Sequence, residues 1–283
     1  DWHWPPYSFL CSVSRRKLET FPFFDDNQKF NTGAFEQKMK TLLARQDNLA
    51  IILNAPNHNP TGYSITNTEW EDILRIVNTN ATPQKTIALL VDIAYIDYIA
   101  DPNESRSFMR LFEKLSPHAF AAFAFSMSKG FTLYGQRTGA LIGMAKDRES
   151  VSEFVNACVI TCRTRWSNLS RAAMKTMAEI YQDPELLSSV GKERMHYIEL
   201  MKQRAALFVE EAKNANLNML PYCGGFFISI PSENPVMASN ILRESNIYVV
   251  PVAKGLRIAV CAVPIHKMKG LAGKVFDAVS RIQ

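Results

Sequence analysis

The chain predicts an α/β fold: a mostly parallel sheet with helices on both faces, followed by a small C-terminal α+β domain. Three observations carry this. Residues 49–53, 86–91 and 120–125 are short, nearly continuous apolar runs, the length and texture of strands buried on both sides. Helical-period stretches separate them, giving the β, α, β, α, β order of a parallel sheet with crossover helices. Beyond about residue 215 the rhythm shifts to shorter strands and helices. We therefore divide the chain into a large domain with long connecting helices (1–214) and a small domain (215–283).

The elements follow in order. Residues 1–16 hold Trp and Pro with little periodicity and read as loop or short helix; residues 18–24 read as a strand. Thr32 is expected to cap a helix carrying Phe35, Met39, Leu42 and Leu43 near helical spacing. Strand 49–53 runs into Asn54-Ala55-Pro56-Asn57-His58-Asn59-Pro60-Thr61-Gly62, a loop of turn formers. A helix over 66–77 places Glu69, Glu71 and Asp72 near its start, where the macrodipole favours acid. Strand 86–91 ends at Asp92, a helix covers 107–115, and strands 120–125 and 138–144 flank the segment from Ser126 to Arg137. Residues 149–180 are helical with a break at Trp166-Ser167-Asn168. Pro184, at a first-turn position, opens a second long helix reaching about Asn214. A strand (225–230), a helix (Pro235–Glu244), two strands (247–252 and 256–260) and a closing helix (265–282) complete the chain.

Composition narrows the function. The chain has 283 residues, 47% of them hydrophobic, with a net charge of +5. That makes a globular protein with a large core. The charge is modest and scattered, which argues against nucleic acid and suits small anionic ligands. No apolar run has the length of a membrane span. The first residues carry no basic-then-apolar signal segment; the cytoplasmic location expected rests on cysteine usage that fits a reducing cytoplasm. The five cysteines, Cys11, Cys158, Cys162, Cys223 and Cys261, have no metal-finger spacing and read as free thiols in a reducing compartment. The five histidines show no ligand spacing either, so no metal is expected.

The chemistry concentrates after the strand at 120–125. Ser126, Lys129 and Arg137 follow it, three and eight residues apart. Lysine is costly to bury, so one at the end of a core strand suggests an amine used for covalent chemistry with a carbonyl. Ser126 and Arg137 supply the hydroxyl and planar donor fork that suit a phosphate. An aldehyde and a phosphate on one ring describe pyridoxal phosphate. Ligands of such sheets gather at the carboxyl ends of the strands, which is where Asn59, Asp92, Ser126 and Lys129 fall.

With these residues in place, the chain resembles the class I pyridoxal-phosphate-dependent aminotransferases of fold type I, the aspartate and aromatic aminotransferase group. Asn59-Pro60-Thr61-Gly62, Asp92-Ile93-Ala94-Tyr95, Ser126-x-x-Lys129 with Arg137, and Leu256-Arg257-Ile258 carry the resemblance, in the family's order. It implies transamination between an amino acid and a 2-oxo acid in a homodimer, within amino-acid metabolism. Lys129 would hold the cofactor aldehyde and move the substrate proton. Asp92 would pair with the pyridine nitrogen, and Asn59 and Tyr95 would bond the phenolic oxygen. Ser126 and Arg137 would take the phosphate, and Arg257 would clamp the substrate α-carboxylate. Trp4 would pack over the ring, with Trp2 as a near rival and Tyr7 nearby. Arg163, just before Trp166-Ser167-Asn168, matches the arginine that binds a distal carboxylate across the dimer. It favours aspartate or glutamate without excluding aromatic substrates.

The resemblance also implies that the N-terminal part of the family pattern is missing, and with it part of the phosphate site, which bears on whether this stretch alone is active. Two other readings stay open. One is a C–S β-lyase of the same fold, against which Arg163 weighs. The other is a non-catalytic cofactor-binding module of a regulator.

Overall fold

A computed structural model describes residues 1–99 and 101–282. In chain order the elements are α1 (Pro6–Val13), α2 (Thr32–Leu43), β1 (Asn48–Asn54), α3 (Asn67–Asn80), β2 (Thr86–Asp92), α4 (Pro102–Ser107), β3 (Ala119–Ser126), α5 (Met127–Gly130), β4 (Gly139–Met144), α6 (Arg148–Trp166), α7 (Arg171–Gln182), α8 (Pro184–Asn214), β5 (Phe227–Pro231), α9 (Pro235–Glu244), β6 (Val250–Val252), β7 (Gly255–Ala259), α10 (Ile265–Met268) and α11 (Leu271–Ser280). Short 3-10 turns lie at Ile96–Tyr98, Phe108–Lys114 and Tyr134–Gln136.

These residues form two compact units. One comprises 1–35, 57–64 and 196–283; the other comprises 36–56 and 65–195. This division does not coincide with the single cut expected near residue 215. The opening residues and the loop 57–64 group with the C-terminal part, and α8 begins in one unit and ends in the other.

In the unit built from 36–56 and 65–195, β1, β2, β3 and β4 form one sheet in that order. β1, β2 and β3 are parallel, and β4 runs antiparallel to β3. Side chains alternate faces along a strand, so Phe120 and Phe123 of β3 point to opposite sides. Phe112 meets Phe123 edge-on at 5.0 Å, and Trp70 of α3 stacks on Phe108 at 5.1 Å. On the other face, Phe154 of α6 lies 5.0 Å from Phe120. The sheet is therefore mixed, mostly parallel and flanked by helices on both sides, as expected. α3 starts at a capping box: the Thr66 hydroxyl accepts from Glu69 N, and the Glu69 carboxylate accepts from Thr66 N at 2.8 Å.

In the other unit, β5, β7 and β6 form an antiparallel sheet with β7 central. Ile228, Ile230, Leu256 and Ile258 pack there with Phe208 of α8, Leu242 of α9 and Val275 of α11 in one buried cluster.

Four local expectations are corrected. Residues 18–24 are not a strand. Phe21 and Phe23 turn into an edge-to-face aromatic cluster with Phe30 and Phe35, and the backbone of Phe24 pairs with Phe30 in an isolated bridge. The cap of α2 is Asn31, whose Oδ1 accepts from Ala34 N at 2.9 Å, so Thr32 is the first helical residue. The helix expected over 107–115 is the end of α4 followed by a 3-10 turn. The closing helix divides at Gly270, which has φ +77 and donates its N–H to the Glu211 carboxylate.

Candidate active site

β2 and β3 run parallel with Asp92 opposite Ala124, two residues before Ser126. The two strands thus deliver Asp92 and the Ser126–Lys129 turn to the same end of the sheet. Asp92 is fixed by its own strand end. Its Oδ1 accepts from Ala94 N at 3.0 Å, and its carbonyl accepts from Asn54 Nδ2 at 2.8 Å and Ala55 N at 3.1 Å. Tyr95 follows, buried, at the start of the 3-10 turn Ile96–Tyr98.

β3 stops where Ser126 caps α5. Its Oγ accepts from Ser128 N at 3.2 Å, leaving the hydroxyl proton to donate elsewhere. Lys129 is half-buried, and its Nζ sits 4.6 Å from the centre of the Tyr134 ring. The Arg137 guanidinium carbon lies 4.9 Å from the same ring. Such contacts attract a cation to an aromatic face. Arg137 takes a left-handed backbone, φ +54, and its Nη1 donates to Ser128 Oγ at 3.2 Å and to the Tyr134 carbonyl at 2.6 Å. The chain reversal at Tyr134–Gln136 thus brings a lysine and an arginine eight residues apart onto one ring. Arg163 sits in the last turn of α6, exposed, with Nη1 3.5 Å from the Ser167 carbonyl.

In the other unit, Asn59 is buried and its Oδ1 accepts from Arg257 Nη1 at 2.9 Å. The Arg257 guanidinium carbon lies 4.3 Å from the centre of the Phe227 ring. The loop around Asn59 is tied down on both sides. The Pro60 carbonyl accepts from Ser229 Oγ at 2.8 Å, and the Gly62 carbonyl accepts from Cys223 N and Gly224 N. His58 stacks on Phe23 at 4.5 Å and shares a 2.8 Å hydrogen bond with Thr61. Burial, the largest cause, pushes its imidazole down to about 3, so it stays neutral and structural. Trp4 is exposed and meets Tyr7 edge-on at 5.5 Å, whereas Trp2 is buried.

Asp92, Ser126, Lys129 and Arg137 present a carboxylate, a hydroxyl, an amine and a guanidinium from two adjacent strand ends. That donor set fits an aldehyde-bearing pyridine phosphate: the amine for the aldehyde, the carboxylate for a ring nitrogen, the hydroxyl and the guanidinium for phosphate oxygens. Sequence reasoning missed the residues that brace Lys129 from behind, namely Asp97, Tyr98 and Arg194. One signal was there: Asp97 lies between Ile96 and Tyr98 directly after the Asp92–Tyr95 motif, and a buried carboxylate requires partners.

The family model described as aminotransferase class I and II matches residues 1–275. Among curated proteins, the chain is 24% identical over 280 residues to an aromatic-amino-acid aminotransferase of Escherichia coli K12, covering 98% of this chain and 67% of that protein. It is 27% identical over 242 residues to the cytoplasmic aspartate aminotransferase of Gallus gallus, covering 82% of this chain and 55% of the relative. Among solved structures, an aminotransferase from Anaerococcus prevotii superposes with TM-score 0.95 at 34% identity, over 99% of this chain and 68% of the other. An aromatic-amino-acid aminotransferase from Burkholderia pseudomallei, covalently bound to pyridoxal phosphate, superposes with TM-score 0.78 at 22% identity, over 98% and 67%. The chain spans between about half and two thirds of the length of these proteins.

Proposed function

The chain belongs to the class I and II aminotransferase family, and from that premise we propose that it works as part of a pyridoxal-phosphate-dependent transaminase, moving an amino group between an amino acid and a 2-oxo acid. The observation that carries the proposal is the joint placement of Lys129 and Arg137 on the Tyr134 ring, beside the strand end that holds Asp92.

Pyridoxal phosphate supplies an aldehyde that condenses with amines and a ring that delocalises the electron pair left when a substrate α-carbon loses its proton. The chain's own residues do the rest. Lys129 would hold the aldehyde through its amine and, when that amine is free, would serve as the base that moves the substrate α-carbon proton. Asp92 would pair with the pyridine nitrogen and favour its protonated form, because a neighbouring anion favours the cation. By the resemblance, Asn59 and Tyr95 would donate to the phenolic oxygen, Ser126 and Arg137 would hold the phosphate, and Trp4 would cover the ring. Arg257 clamps the α-carboxylate with its two-pronged fork. Its ties to Asn59 and Phe227 fix that fork in advance.

For the substrate side chain we assign Arg163, reaching from a second copy of the chain, to a distal carboxylate. Aspartate or glutamate is then the amino donor, and the names of the relatives are consistent with acidic and aromatic donors alike. Adding aspartate to the cofactor-loaded full-length protein, with no acceptor present, should convert bound pyridoxal phosphate to pyridoxamine phosphate. Chromatography of the released cofactor reads this directly, and its persistence as pyridoxal phosphate with every donor tried would overturn the assignment. In Arg163→Leu the same conversion should slow about 30-fold or more with aspartate, the effect of removing one partner of an ion pair, and should change little with phenylalanine. Equal losses with both donors would remove Arg163 from this role.

A further inference from the structure

We propose that Arg194, held in place by Asp97, is a positioning residue for Lys129 and acts through the carbonyl of Gly130. This rests on the reading above that Lys129 is the catalytic amine.

Lys129 lies on α5, a helix of four residues. A single turn has little stability of its own, and its last carbonyls have no partners within the helix. Just past the turn, Phe131 N donates to the Met127 carbonyl at 3.3 Å and Thr132 N to the Lys129 carbonyl at 3.1 Å, and groups from elsewhere in the fold add to these. The Tyr98 hydroxyl donates to the Lys129 carbonyl at 3.0 Å. Arg194 comes from α8, 64 residues further on, and donates from both Nε (3.1 Å) and Nη2 (2.8 Å) to the Gly130 carbonyl. Its guanidinium also lies 5.2 Å from the centre of the Phe131 ring. The turn that carries the amine is thus gripped on two successive carbonyls.

Asp97 aims that grip. Its side chain is 4% exposed, its Oδ1 pairs with Arg106 Nη2 at 2.6 Å, and Arg194 Nη1 lies 3.7 Å from the same oxygen. Taking charges out of water costs several kcal/mol per ion unless the geometry is good, so a buried cluster of this kind calls for a reason beyond stability. Asp97 also touches the turn itself: a Cβ on Gly130 would run into Asp97 Oδ2. Three fixed points therefore set the height and tilt of α5: the Tyr98 hydroxyl, the Arg194 fork and the Asp97 carboxylate against Gly130.

The layout has a consequence for the reaction. Asp92, Tyr95, Asp97 and Tyr98 lie on one short segment. The segment that carries the carboxylate proposed for the ring nitrogen also braces the turn that carries the amine. The separation of the amine from this carboxylate is then set through one short stretch of backbone, the kind of control that a proton transfer at a defined atom requires. Lysine at position 194 would keep a positive charge but lose the planar fork that grips one oxygen with two donors.

The test compares Arg194→Gln and Arg194→Lys with the parent full-length protein. In cofactor-free protein, mass spectrometry follows acetylation of Lys129 by acetic anhydride against the surface lysines as internal standards. In cofactor-loaded protein, kcat and KM for the amino donor are measured. Both variants should change the relative labelling rate of Lys129 about threefold or more. They should lower kcat up to about 100-fold, the scale of a misplacement near 1 Å, with KM within about twofold. A purely structural loss would instead lower the yield of folded protein and leave Lys129 labelling and kcat per folded molecule unchanged. That result overturns the proposal, and if Arg194→Gln fails to fold, Arg194→Lys alone decides. Lys129→Ala separates the two levels. Turnover surviving in Lys129→Ala would remove the catalytic reading and the positioning with it. An inactive Lys129→Ala beside normal Arg194 variants would remove the positioning alone.

Discussion

Lys129→Ala is expected to lose the covalent cofactor and at least about 10⁴-fold in transamination rate, because it deletes both the amine proposed to bind the aldehyde and the base proposed to move the proton. Borohydride reduction followed by peptide mass spectrometry should find a pyridoxyl group on Lys129 in the parent protein and none on the variant. The fold should survive. The side chain is half-buried, and its amine rests on an exposed tyrosine ring, so alanine leaves no cavity in the packed sheet. A variant with a normal melting temperature, no reducible adduct and no turnover is the expected combination. A reducible adduct on another lysine, with turnover retained, would sink the assignment. Asp92 and Arg137 then serve as comparisons: neither carries an amine able to attack an aldehyde, so their removal should weaken cofactor binding without abolishing the adduct.

The parts of this fold that show plainly in the sequence are those built from local repetition. β1, β2 and β3 are apolar runs with clear ends, and their parallel pairing follows from the helices between them. The break at Ser167 and the start of α8 at Pro184 are marked by turn formers and a first-turn proline. Residues 18–24 misled because alternating phenylalanines are read as a strand face, whereas here they close an aromatic cluster with Phe30 and Phe35. The strand ends that deliver Asp92, Ser126 and Lys129 were legible for the same reason as the strands themselves. The brace behind Lys129 was not. Arg194 meets Gly130 across 64 residues of chain, and nothing in the periodicity of α8 distinguishes an arginine that turns inward from one in solvent. The grouping of residues 57–64 with the C-terminal sheet was hidden too, because it depends on backbone hydrogen bonds from Cys223 and Gly224 to the Gly62 carbonyl.

That last contact sets the second large effect, Gly62→Ala. Gly62 ends the Asn59-Pro60-Thr61-Gly62 loop with φ +74, a left-handed backbone that costs an alanine about 1 kcal/mol. Space is the greater difficulty. A Cβ would stand 2.5 Å from the Phe227 carbonyl oxygen and inside contact distance of the Tyr222 ring. The first is backbone of β5, and the second is held by its hydroxyl, which donates to the Gly225 carbonyl at 2.7 Å. Neither is a flexible side-chain end, so the loop itself must move, and forced overpacking of this kind adds roughly 1–3 kcal/mol. Gly62→Ala should therefore destabilise the protein by about 3 kcal/mol in urea unfolding. It should also weaken substrate binding, because the same loop holds Asn59 against Arg257. Gly135→Ala is the matched control: a Cβ there meets nothing within 4 Å, and its stability should stay within about 0.5 kcal/mol of the parent. Equal unfolding midpoints for the two variants would show that the loop yields freely, and that its glycine is not what locks Asn59 into place.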